Sequence, residues 1–101
     1  MLETLKSMFG ARGVDAEALA RIDRGALVVD VRTPEEFASG HFRNAKNVPV
    51  QELSGRAREL PKDRAIVLYC RSGARSASAK RVLDGLGYRD VYDAGGMHNL
   101  G

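Results

Sequence analysis

The chain has 101 residues but only one cysteine, Cys70, and no tryptophan. A single thiol forbids an internal disulfide, which removes the small disulfide-framed secreted modules from consideration. No apolar run approaches the roughly 18 residues that a membrane span requires. The two histidines, His41 and His98, lie far apart and show no ligand spacing with Cys70, so neither a metal nor another cofactor is expected. Aromatic residues are also few: Phe9, Phe37, Phe42, Tyr69, Tyr88 and Tyr92 make no stacking series for bases. Sixteen Lys and Arg against thirteen Asp and Glu give +3, but the bases alternate with acids, as around Arg56, Lys62 and Arg64. With no basic block, a nucleic-acid partner is not expected, and a small anionic ligand fits better. Repeats and low-complexity tracts are absent.

What is present is the composition of one water-soluble domain, with 44% apolar and 29% charged residues. Leu2, Leu5, Met8 and Phe9 fall at helical spacing, so residues 1–13 read as an amphipathic lead-in helix before a domain spanning 14–101. Glu3 and Lys6 interrupt any signal-peptide core, and the expected location is cytoplasmic. Asp15 can cap a helix over Ala16–Ile22. Ala26–Val31 is a short β-branched run of the kind buried in a parallel sheet. Thr33-Pro34-Glu35-Glu36 is a helix start with a capping box, and Gly40 ends that helix. Asn47–Val50 reads as a second strand, Gln51–Leu60 as a helix closed by Pro61, and Ala65–Tyr69 as the clearest strand. Ser76–Leu86 reads as the clearest helix, with Ala79, Val82, Leu83 and Leu86 on its apolar face and Gly87 as its stop. A last strand begins at Val91-Tyr92 and ends at Gly95-Gly96.

Strands alternating with helices predict an α/β domain with a mainly parallel sheet. Ligands of such sheets bind beyond the carboxyl ends of strands, where loops lead into helices. The loop after Ala65–Tyr69 is Cys70-Arg71-Ser72-Gly73-Ala74-Arg75, running into Ser76. Gly73 allows successive N–H groups to converge on one concavity, and the helix start adds unpaired N–H groups and a positive dipole end. Arg71 and Arg75 bring two permanent charges. Every neighbour favours a thiolate at Cys70, which therefore reads as a reactive nucleophile in a cradle for an anion.

The order and spacing of several pieces resemble the single-domain rhodanese, or thiosulfate sulfurtransferase-like, family. They are Val29-Asp30-Val31-Arg32, Glu36-Phe37, Gly40-His41, Ala45 to Pro49, Val67-Leu68-Tyr69-Cys70 with the loop to Ser76, Leu86-Gly87-Tyr88 and Gly95-Gly96-Met97. The resemblance implies a three-layer α/β domain with a central sheet of about five strands and helices on both faces. It also implies that Cys70 takes sulfur from thiosulfate as a persulfide and passes it to cyanide, a thiol or a protein acceptor. Arg71, Ser72, Gly73, Ala74, Arg75 and Ser76 would form the substrate cradle, and the protein would work as a monomer. A carrier fed by a protein donor and a redox sensor are the alternatives, although a sensor would lack a resolving cysteine.

Two departures from that pattern stand out. The family places a tryptophan near Leu100, and Arg43-Asn44 replaces its usual Pro-Gly. Related phosphatases have a loop one residue longer, Cys-x5-Arg, whereas Cys70 to Arg75 is Cys-x4-Arg. No acid close in sequence offers a leaving-group proton. Among the remaining polar residues, Asp30 and Arg32 read as a structural pair at a strand end. His41 reads as bonding neighbouring backbone, His98 as exposed, and Ser72 and Ser76 as loop donors or a cap, with no base to make them nucleophiles.

Overall fold

Among the described residues four short parallel strands form the centre of the fold, the inner two of them buried apolar runs. The computed structural model describes residues 14–101; the lead-in helix expected over residues 1–13 lies outside them. In chain order the elements are α1 (Ala16–Asp23), β1 (Leu27–Asp30), α2 (Pro34–Ala38), β2 (Lys46–Asn47), α3 (Leu53–Arg56), β3 (Ile66–Cys70), α4 (Ala74–Gly85) and β4 (Val91–Gly96). Short 3-10 turns occupy Val50–Glu52, Ala57–Glu59 and Met97–Leu100. The strands pair in the order β2-β1-β3-β4, and every pairing is parallel.

All five residues of β3 are buried, because β3 is central and covered on both faces. Its side chains still alternate. Ile66, Leu68 and Cys70 join Val29, Val31, Leu53, Ala79 and Leu83 in one core cluster. Val67 and Tyr69 join Val28, Ala18, Ala94 and Leu100 in the other. Helices α3 and α4 thus cover one face, while α1 and the Met97–Leu100 turn cover the opposite one. This is the layered α/β arrangement that the alternating pattern predicts.

Several boundaries differ from the sequence reading, each for a local reason. Among the described residues the sheet has four strands, not about five. Asp15 donates its backbone N–H to Asn99 O at 2.7 Å and caps α1 through its side chain, so the described chain opens on a helix. The Gln51–Leu60 helix breaks into a 3-10 turn, one α-turn and a second 3-10 turn around Ser54-Gly55, where glycine weakens the helix. Leu86 is exposed at 42% and leaves the α4 face to Ala79, Val82 and Leu83, because the helix ends at Gly85 and Leu86 is already its C-cap. Leu100, near which the resemblance expects a tryptophan, is buried in the core and fills its place there as an aliphatic side chain. Among the described residues no helix is long and apolar enough to cross a membrane.

Candidate active site

Helix α4 starts two residues earlier than its pattern indicates, and this early start builds the site. Gly73 is its N-cap, with φ of +113°, a conformation that side-chain-bearing residues rarely adopt. Ala74, Arg75 and Ser76 therefore form the first turn, whose N–H groups have no partner within the helix. Strand β3 ends at Cys70 and delivers its sulfur beneath that turn. Cys70 Sγ accepts hydrogen bonds from Gly73 N at 3.0 Å and from Ser76 N at 3.3 Å. The Ser76 hydroxyl lies 3.5 Å from the same sulfur, accepting from the thiol when that is protonated. It also donates to Gly73 O at 3.1 Å.

Burial raises the Cys70 pKa, but the Ser76 hydroxyl and the amides of Ser76, Gly73 and Ser72 outweigh it, and the net shift is downward. The anion is thus favoured chiefly by the hydroxyl and amide dipoles around the sulfur, with a smaller coulombic contribution from Arg75. Cys70 itself is fully buried, contrary to the exposed thiol expected of a redox sensor. The loop around it is open: Arg71, Ser72 and Ala74 are exposed, while Gly73 and Arg75 are partly covered.

Arg75 corrects a second expectation. Its guanidinium does not stand free over the loop but forms two hydrogen bonds with Glu36, at 2.7 and 3.0 Å. The same carboxylate completes the capping box, with Glu36 Oε1 accepting from Thr33 N at 2.9 Å. These bonds, that to Arg75 foremost, hold the Glu36 pKa at about 2. Glu36 is thus the acid beside the loop that proximity in sequence could not reveal, and at neutral pH it has no proton to donate to a leaving group. Its clue was the capping box, which fixes the carboxylate through Oε1 while Arg75 grips both oxygens. Arg71, the loop residue next to Cys70, lines a cavity of about 320 Å³ with Arg32, Glu36, Ser39, Met97 and His98.

The remaining expectations sort cleanly. Asp30 is fully buried and binds the Arg32 backbone N–H at 2.9 Å and the Arg32 guanidinium at 2.6–3.0 Å. Arg32 Nη2 also donates to Gly40 O at 2.7 Å, which ties the end of β1 to the loop after α2. This is a structural pair. His41 donates from Nδ1 to Phe37 O at 3.0 Å and stacks on the Phe37 ring, so it fixes the turn after α2. His98 is exposed, as expected. Among the described residues no group of three or more His, Cys, Asp or Glu could hold a metal ion.

The rhodanese-like domain family matches residues 14–99. The chain belongs to that family. A sulfurtransferase of Allochromatium vinosum is 41% identical over 86 residues, covering 82% of this chain and 80% of that protein. The thiosulfate sulfurtransferase PspE of Escherichia coli is 36% identical over 74 residues, 71% of each chain. Among solved structures, a rhodanese with anions from E. coli superposes with a TM-score of 0.70 at 34% identity, covering 74% of this chain and 91% of that one. These relatives support a rhodanese-type sulfurtransferase.

Proposed function

We propose that the protein transfers sulfane sulfur from thiosulfate to a thiophilic acceptor through a persulfide on Cys70. The observation that carries this reading is the sulfur of the only cysteine, met by two amides and a hydroxyl at a helix start. Such an arrangement stabilises a sulfur anion without any cofactor.

In the first half-reaction the Cys70 thiolate attacks the outer sulfur of thiosulfate. The thiosulfate S–S bond breaks, sulfite leaves with the bonding pair, and Cys70–S–S⁻ remains. Arg71 and the loop from Ser72 to Ser76 form the cradle, with Arg75 contributing its backbone and holding the loop through Glu36. In the second half-reaction cyanide, a thiol or a protein acceptor attacks the outer sulfur, and Cys70 departs as the thiolate that its surroundings favour. A lone unpaired thiol suits a reducing compartment such as the cytoplasm, and the chemistry needs a single copy of the chain.

Intact mass before and after thiosulfate, and again after cyanide, tests the cycle, with Cys70→Ser as control. A gain of one sulfur that cyanide removes, absent from the variant, is expected. No gain in a folded sample with a free thiol would reject thiosulfate as donor.

A further inference from the structure

We propose that His98 is a further catalytic residue of the second half-reaction, the base that removes the proton from an incoming thiol acceptor. The inference rests on the persulfide at Cys70. Its starting point is Gly96. In the sheet Gly96 on β4 is the register partner of Cys70 on β3, and parallel neighbours lie about 4.8 Å apart. A Cβ placed on Gly96 would come within 2.5 Å of His98 Cε1, 2.6 Å of His98 Nδ1 and 2.7 Å of the Arg71 carbonyl oxygen. The imidazole therefore lies directly against the glycine beside Cys70 and next to the backbone of the nucleophile loop. It can do so because that glycine has no side chain.

His98 also lines a cavity with Arg71, the loop residue that follows Cys70, and with Arg32, Glu36, Ser39 and Met97. Most other polar groups there are already committed. Glu36 is held by Arg75 and Thr33, and Arg32 by Asp30 and Gly40. Arg71 carries a permanent positive charge and cannot accept a proton. His41, the other histidine, is occupied by Phe37 O. The ring nitrogens of His98 bond to none of the described residues, and the side chain is exposed. Imidazole is the side chain suited to exchanging a proton near neutral pH.

The step is R–SH + Cys70–S–S⁻ + His98 → R–S–S⁻ + Cys70–S⁻ + His98–H⁺. The S–H bond of the acceptor breaks and its proton goes to the ring. A bond forms between the acceptor sulfur and the outer sulfur of the persulfide, and the S–S bond to Cys70 breaks with its electron pair on Cys70. The ring then returns the proton to solvent. No oxidant or reductant is consumed.

The test compares discharge of the Cys70 persulfide to two acceptors, in the full chain and in His98→Gln. One acceptor is an alkyl thiol of ordinary acidity, protonated at neutral pH. The other is a nitro-substituted aryl thiol, already ionised. Loss of the base should slow the alkyl thiol on the order of 100-fold and leave the aryl thiol within about twofold of the full chain, and free imidazole should restore the alkyl rate in His98→Ala. An equal loss with both acceptors would mean that His98 is structural, and no loss with the alkyl thiol would mean that it is idle; either overturns the proposal. Loading the persulfide from polysulfide separates this test from the choice of donor. If thiosulfate fails to load Cys70 but polysulfide succeeds, the thiosulfate reading falls while the comparison of acceptors still decides the role of His98.

Discussion

Replacing Ser76 by alanine isolates one of the groups that acidify Cys70. The hydroxyl has a single hydrogen, which in the neutral state points to Gly73 O at 3.1 Å. When the thiol 3.5 Å away ionises, that hydrogen can turn to the sulfur. The gain is therefore a difference: a bond to a charged acceptor contributes about 1.5–3 kcal/mol and the neutral bond it replaces about 0.5–1.5. The remainder, about 1–1.5 kcal/mol, corresponds to about one pKa unit. Ser76→Ala should raise the Cys70 midpoint by that amount, while the amides of Gly73 and Ser76 keep it from rising further. Because the chain has one cysteine, the ultraviolet absorbance of the thiolate reports it without ambiguity, with Cys70→Ser subtracted for the tyrosines. A midpoint that stays within about 0.3 unit of the parent, in a variant with native circular dichroism, would refute the hydroxyl's part and leave the backbone as the sole cause.

Four further outcomes follow from the same geometry. Arg71→Ala should raise the KM for thiosulfate about tenfold, the effect of losing about 1.4 kcal/mol; Arg75→Ala should act mainly on thermal stability, because its guanidinium is held by Glu36. Glu36 titrates near 2 in the fold, below its ordinary value of 4.5, so its contribution is fully present above the ordinary value and is lost as pH falls through about 2. Urea midpoints between neutral and strongly acidic pH should show that loss in the parent and its absence in Glu36→Gln, with a size of about 1–2 kcal/mol after solvent screening. Asp30→Asn leaves the Arg32 guanidinium buried beside a neutral partner and should cost about 3–5 kcal/mol, which calorimetry would read as a Tm lower by more than about 10 °C.

The legible parts of this protein were those whose causes lie close together in the chain. β3 was visible as an apolar run bounded by charge, and the capping box at Thr33 and Glu36 was visible because its two halves are three residues apart. The nucleophile loop was readable for the same reason, since Cys70 to Ser76 is contiguous and glycine marks its turn. What escaped was made by tertiary contact. Arg75 and Glu36 meet only when α4 and α2 have docked, so a sequence reading counts a free cation where the fold neutralises it. His98 reaches the loop only because β4 pairs with β3 and carries the chain end past Cys70. The α4 start was missed because a first turn opening on Gly73 and Ala74 looks like loop, although the orphan amides of that turn are what surround the sulfur.

The all-parallel sheet has a consequence for when the thiol becomes reactive. No two neighbouring strands are joined by a hairpin, so the pairings around β3 draw on distant parts of the chain and form late and together. In the unfolded ensemble Cys70 is an ordinary thiol, with none of the amides that surround it in the native state. Folding itself acidifies the sulfur, and by linkage ionisation of the sulfur stabilises the fold. That contribution is complete above the ordinary thiol pKa and disappears as pH falls through the lower native one. An incompletely folded copy therefore lacks the contacts that lower the Cys70 pKa, and the thiolate is favoured only in molecules that have finished folding.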